Sequence, residues 1–172
     1  MILALDAYYD ERTLNATGAA VVFEHWDDAE PLSEYTAICE GIQPYQPGEF
    51  YKRELPCLLA VLETVHEPMS LIVVDGYVSL GDKPGLGWRL WEALDRHVPV
   101  IGVAKTRFRT VTALEVLRGQ SQTPLYVTAA GMEPTEAAEH VRRLHGPFRI
   151  PTLLTRVDWL ARGHTSPSAR AR

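Results

Sequence analysis

Apolar and polar positions alternate in blocks along this chain, and the period of each block predicts its element. Residues 2–7, 18–23 and 35–40 are short apolar, β-branched or aromatic runs, predicted as strands. The connectors between them, 10–17 and 24–33, are polar and short enough for hairpin-type returns, so an antiparallel meander is expected. After a loop containing Pro44, Pro47 and Gly48, the period changes: Leu55, Leu58, Leu59, Leu62 and Val65 recur at helical spacing. A helix starting near Arg53 is predicted, which puts Pro56 in its first turn, where a missing N–H costs little. Leu71-Ile72-Val73-Val74 then forms a continuous run, the pattern of a strand covered on both faces. A helix over 86–97, a strand over 98–104, a short strand over 125–128 and amphipathic helices over 134–144 and 153–161 complete the pattern. Three antiparallel strands followed by parallel strands, with helices between, give an α/β fold: a mixed sheet of five or more strands flanked by helices. The expected organisation is one domain over 1–162 and a flexible tail over 163–172.

The chain has 172 residues, 46% of them hydrophobic and 23% charged, which excludes disordered, collagen-like and coiled-coil classes. No apolar run approaches the ~20 residues needed to span a bilayer. The first residues lack a basic leader, so a cytoplasmic protein with no membrane partner is expected. Cys39 and Cys57 match neither a zinc spacing nor a disulfide framework, consistent with a reducing compartment. Net charge is −5, but it is unevenly spread. The first 86 residues carry 4 basic against 15 acidic side chains, and the remaining 86 carry 13 against 7. Acids gathered for metal ions beside a basic rim for phosphates would produce this, as would chance.

Two acids interrupt apolar strands. Asp6 follows Ile2 to Leu5, where an unpaired carboxylate is costly unless the strand end turns to water. Asp75 ends the 71–74 run and precedes Gly76; it marks either an ordinary Asp-Gly turn or a ligand site at a strand's carboxyl end. If these strands pair in parallel, the two carboxylates lie side by side and their repulsion calls for a cation. Oxygen-only ligands suit Mg²⁺ or Mn²⁺. Glu54 at a helix start complements the helix dipole, and Asp158 fits an exposed face of the last helix; a shared geometry would give either one chemistry. Three or four converging carboxylates are what two-metal phosphodiester hydrolysis requires.

The stretch Pro44-Tyr45-Gln46-Pro47-Gly48-Glu49-Phe50-Tyr51-Lys52-Arg53-Glu54 resembles the proline-tyrosine-proline-glycine to arginine-glutamate motif of the endonuclease V family. Val73-Val74-Asp75-Gly76, Val100-Ile101-Gly102-Val103-Ala104-Lys105, Leu125-Tyr126-Val127-Thr128 and Thr155-Arg156-Val157-Asp158 resemble further segments of that family in the same order. The resemblance implies a ribonuclease-H-like fold and a metal-dependent endonuclease that acts at inosine or deoxyinosine and cuts the second phosphodiester on the 3′ side. It implies Asp6, Glu54 and Asp75 as ligands of Mg²⁺ or Mn²⁺ and Asp158 as a fourth acid. Lys105 would face the phosphate or the metal-bound water; otherwise it is a snorkelling surface lysine. Pro44, Tyr45, Pro47, Gly48 and Arg53 would contact the nucleic acid, with the Tyr45 ring a wedge replacing lost base stacking or, alternatively, packed on the sheet.

The chain departs from the family at several places, two of which lack a histidine. The loop Tyr77 to Gly85 lacks the histidine that family members carry there, so Asp82 or Lys83 is left to fill that role, and the stretch Thr128 to Met132 also lacks one. Three functions stay open: an inosine-directed endonuclease, a relative that binds nucleic acid without cutting it, and an α/β domain serving a small-molecule or protein partner. Arg107, Arg109, Arg142, Arg143 and Arg149 form either a basic flank for a nucleic-acid backbone or a solvated charged face.

Overall fold

The computed structural model describes residues 1–40 and 51–164. Its elements run β1 (Ile2–Asp10), β2 (Asn15–Phe23), β3 (Ser33–Cys39), α1 (Tyr51–Leu62), β4 (Leu71–Asp75), β5 (Ser79–Leu80), β6 (Lys83–Pro84), α2 (Leu86–Ala93), β7 (Val100–Ala104), β8 (Leu114–Val116), β9 (Leu125–Ala130), α3 (Pro134–Arg143) and α4 (Thr152–Ala161). A seven-stranded sheet has the order β3-β2-β1-β4-β7-β9-β8, and β5 pairs only with β6.

β1, β2 and β3 form the expected antiparallel meander, and β4 and β7 add in parallel beside β1. β9 then runs antiparallel to β7 and pairs with β8, so the far edge departs from the expected run of parallel strands. No helix links β7 to β9; the intervening segment instead supplies β8, which pairs antiparallel with β9 at the sheet edge.

Alternation along the strands assigns the two faces. Leu3 and Leu5 of β1, with Ile72 and Val74 of β4, pack with Leu58, Val61 and Leu62 of α1 and Leu90 of α2. Ile2 and Ala4, with Leu71 and Val73, pack against Ala137 and Val141 of α3 and Leu153 and Val157 of α4. Side-chain period is two, so Asp6 and Asp75 fall on the α4 side. α1 approaches β2 very closely: a Cβ on Gly18 would stand 2.2 Å from the Cys57 carbonyl oxygen, so only glycine fits.

Three local expectations are corrected. Pro56 lies beyond the first turn of α1, since the helix already includes Tyr51. α2 ends at Ala93 because Asp95 and Arg96 adopt positive φ values of 53° and 61° and close the helix with turn hydrogen bonds. β1 extends past residue 7 to Asp10, pairing with β2, itself flanked by β3 as far as Ala16, beyond the end of β4. The expected wedge loop with Pro44, Tyr45, Pro47 and Gly48 lies outside the described residues, as does the tail after His164.

Candidate active site

β4 stops at Asp75 while β1 continues, and the sheet opens into a cleft at that point. The parallel register pairs Leu5 with Val74, so Asp6 and Asp75 follow at neighbouring positions on adjacent strands. Glu54, in the first turn of α1, reaches the cleft from one face of the sheet, and Asp158 of α4 reaches it from the other. Lys105, immediately after β7, completes the lining. The cleft holds about 720 Å³. All five residues expected to carry chemistry, separated by up to 152 positions in the chain, share this one cavity.

The electrostatics are those of carboxylates held together without enough positive charge. Burial raises the Asp6 carboxyl to about 7, helped by repulsion from Asp75 and Asp158 and opposed by a 2.8 Å hydrogen bond from the Ala7 N–H. Burial raises Glu54 to about 8, with repulsion from Asp6 and Asp75 adding to it and the Arg53 charge opposing it. The other two acids have cationic partners. Lys105 Nζ lies 2.5 Å from Asp75 Oδ2, and Arg162 Nε donates to both Asp158 oxygens at 3.1 Å. In this arrangement no three Asp, Glu, His or Cys side chains among the described residues stand as a closed metal-ligand set. The donors nevertheless suit a hard divalent ion: they are carboxylate oxygens, and the raised pKa values of Asp6 and Glu54 mark charge that a cation would offset.

Arg53 is only 8% exposed, and its guanidinium carbon lies 3.5 Å from the centroid of the Tyr9 ring. It forms part of the cleft wall beside Glu54. Asp82 and Lys83, considered for the place of the absent histidine, are exposed and outside the lining; their hairpin presents Leu80 and Pro84 instead. Of the arginines considered as a basic flank, Arg107 pairs with Glu115, Arg142 with Glu139, and Arg149 turns inward to main-chain carbonyls.

Residues not singled out from the sequence also line the site: Tyr8, Tyr9, Glu11, Tyr77 and Arg162. Arg162 was legible as the i+4 neighbour of Asp158 on a helix. Tyr8 and Tyr9 were legible only once β1 was known to extend past Asp6.

A mixed sheet with helices on both faces, and acids over the end of β1 and β4, is the ribonuclease-H-like fold. The sequence model of the endonuclease V family matches residues 1–140. The chain is 30% identical over 183 residues to endonuclease V of Streptomyces avermitilis, covering 94% of this chain and 79% of that protein. It is 32% identical over 181 residues to endonuclease V of Streptomyces coelicolor, covering 91% and 75%. The crystal structure of the S. avermitilis protein matches with a TM-score of 0.77 at 29% identity, over 94% of this chain and 79% of that one. Endonuclease V of Ciona intestinalis, in complex with a 23mer DNA containing an inosine followed by a ribo-adenosine, matches in fold with a TM-score of 0.77 at 16% identity, over 94% and 83%. This chain belongs to the endonuclease V family and is a nuclease, a hydrolase.

Proposed function

We propose that the protein is a divalent-metal-dependent endonuclease that hydrolyses a phosphodiester near inosine or deoxyinosine in DNA or RNA, in nucleic-acid repair or inosine-RNA turnover. Residues 1–162 would act as one domain, in the cytoplasm; no helix among the described residues is long and apolar enough to cross a membrane. The observation that carries this reading is the meeting of acids from β1, α1, β4 and α4 with Lys105 in one cleft.

Asp6, Glu54 and Asp75 would hold Mg²⁺ or Mn²⁺, which supplies Lewis-acid charge to the phosphodiester. Asp6 and Glu54 hold protons near neutral pH only while no cation offsets their crowding; ionised as ligands, they would accept hydrogen bonds from an attacking water and orient it. Lys105 carries a positive charge over the end of β4, where it can meet the non-bridging oxygens as they gain charge. Arg162 neutralises and orients Asp158, while its guanidinium stacks 4.8 Å from the Tyr8 ring centroid. Tyr45 would serve as the wedge beside the lesion, with Pro44, Pro47 and Gly48 shaping that loop and Arg53 bracing its helix.

One observation favours a second reading, binding without cutting: no histidine lines the cleft among the described residues. Incubation with inosine- and deoxyinosine-bearing oligonucleotides plus Mn²⁺ separates the two. Cleavage that disappears in Asp6→Ala and Asp75→Ala supports the nuclease. Selective, salt-dependent association without nicking supports the second reading, and neither cutting nor selective association rejects both.

A further inference from the structure

Lys105 leaves β7 one residue after its last ladder partner, Ala104, which pairs with Tyr126. The ladder ends there, and Pro124, the residue before β9, has no N–H with which to extend it. A side chain from elsewhere supplies the donors. Arg149 Nη2 donates to the Lys105 carbonyl and, at 2.9 Å, to the Pro124 carbonyl, joining the two strand ends.

The segment carrying Arg149 is itself held. Arg118, 6% exposed, donates to the carbonyls of Phe148 at 2.9 Å, Gly146 at 3.2 Å and Arg149 at 3.3 Å, and also to that of Leu144. Gly119, at φ 58°, lies against this loop so closely that a Cβ would stand 2.1 Å from the Pro147 oxygen. A chain of contacts therefore runs from Arg118 and Gly119 through the 144–149 loop to Arg149, then to the Lys105 main chain, and ends at Lys105 Nζ on Asp75.

We propose that Arg149 is a positioning residue: by bonding the Lys105 and Pro124 carbonyls it fixes the point at which Lys105 leaves the sheet, and so places the Lys105 ammonium over Asp75 in the cleft. Arg149, one of the arginines considered for a phosphate flank, is thus committed to backbone, as is Arg118. The kinetic consequence rests on the nuclease reading proposed above; the placement of Lys105 does not.

Two measurements test this. On a deoxyinosine oligonucleotide with Mn²⁺, Arg149→Ala should lower kcat by about tenfold to a hundredfold with KM little changed, the scale of a small misplacement of a reacting group. It should cost nothing further in a Lys105→Ala background, and Arg149→Lys, whose amine stops one bond short of the Nη2 position that makes both bonds, should recover little. A loss that persists undiminished without Lys105 would overturn the proposal. Failure of the wild-type protein to cleave would reject the nuclease reading alone, and the second measurement then decides the placement. Without metal, acetylation of the Lys105 amine by an N-hydroxysuccinimide ester is followed by mass spectrometry, with exposed Lys83 as internal control. Arg149→Ala should speed Lys105 labelling about fivefold, the ratio set by one ordinary hydrogen bond, towards the rate of Asp75→Asn, leaving Lys83 unchanged. An unchanged Lys105 rate would overturn the proposal; Arg149→Lys carries the same test should Arg149→Ala fail to fold.

Discussion

Asp6 and Glu54 hold the balance of the cleft, because each is largely withdrawn from water and, among the described residues, neither forms an ion pair like Asp75–Lys105 and Asp158–Arg162. Their raised pKa values make a stability prediction. In the unfolded chain these carboxyls ionise near 4; in the folded protein they hold their protons to about 7 and about 8. Between those limits the folded state binds more protons, so metal-free stability is greatest below about pH 4 in this respect and falls as pH rises through 7 and 8. The slope reaches at most about 1.4 kcal/mol per pH unit for each group. Urea melts across this range should show the decline, flattened in Asp6→Asn and Glu54→Gln, whereas a flat wild-type profile would contradict the burial argument. Mn²⁺ should reverse the trend, since ligation requires the ionised carboxyls. For turnover, Asp6→Ala and Asp75→Ala should each cost at least about a hundredfold in kcat, read from single-turnover nicking.

At the scale of elements, α4 presents Asp158 to the cleft and is tied to the far side of the sheet by Arg156, whose forked pair with Glu34 of β3 measures 2.5 and 2.7 Å. Both side chains are largely covered, at 14% and 24% exposed. Arg156→Ala leaves Glu34 without this partner and should cost about 2 kcal/mol, somewhat less than for a fully buried pair. Replacing both by Met and Leu should recover most of that loss; thermal melts of the single and double variants check it. Gly18→Ala drives a Cβ into the Cys57 carbonyl and should cost about 1–3 kcal/mol by overpacking. The helix that moves in response carries Glu54, so reduced nicking should accompany the lower melting temperature.

Much of this element layout was legible from hydrophobic period. The meander, the helix after it, and the fully covered strands ending at Asp75 and Ala104 follow from runs long enough to carry a period. Pairing of β4 beside β1 stood in the sequence only as a condition under which the two carboxylates would lie side by side; the parallel register meets it. β8 was not legible: Leu114–Val116 is three residues with Glu115 in the middle, and only its pairing with β9 makes it a strand. The left-handed turn at Asp95 and Arg96 carries no glycine to announce it. Arg149 read as a flank or surface cation and Arg118 was not singled out, because a sequence records a charge but not the carbonyls it will meet.

For the whole molecule, the acidic and basic halves of the chain fold into one cavity, with acids from β1, α1 and β4 facing Lys105 and Arg162 from the second half. Several further arginines are consumed internally or by neighbouring acids, and the net charge is −5. Affinity for unmodified nucleic acid should therefore be modest, with a shallow dependence on salt reflecting few phosphate contacts. A steep slope, near that of proteins making 6–10 such contacts, would show that the rim has been undercounted.

Crystals grown with Mn²⁺ and measured at the manganese absorption edge address most directly whether these acids share a cation. An anomalous peak ligated by carboxylate oxygens of both Asp6 and Asp75, at roughly 2.0–2.6 Å, is the predicted result. A cleft without such a peak under saturating Mn²⁺, with Lys105 still seated on Asp75, would contradict it.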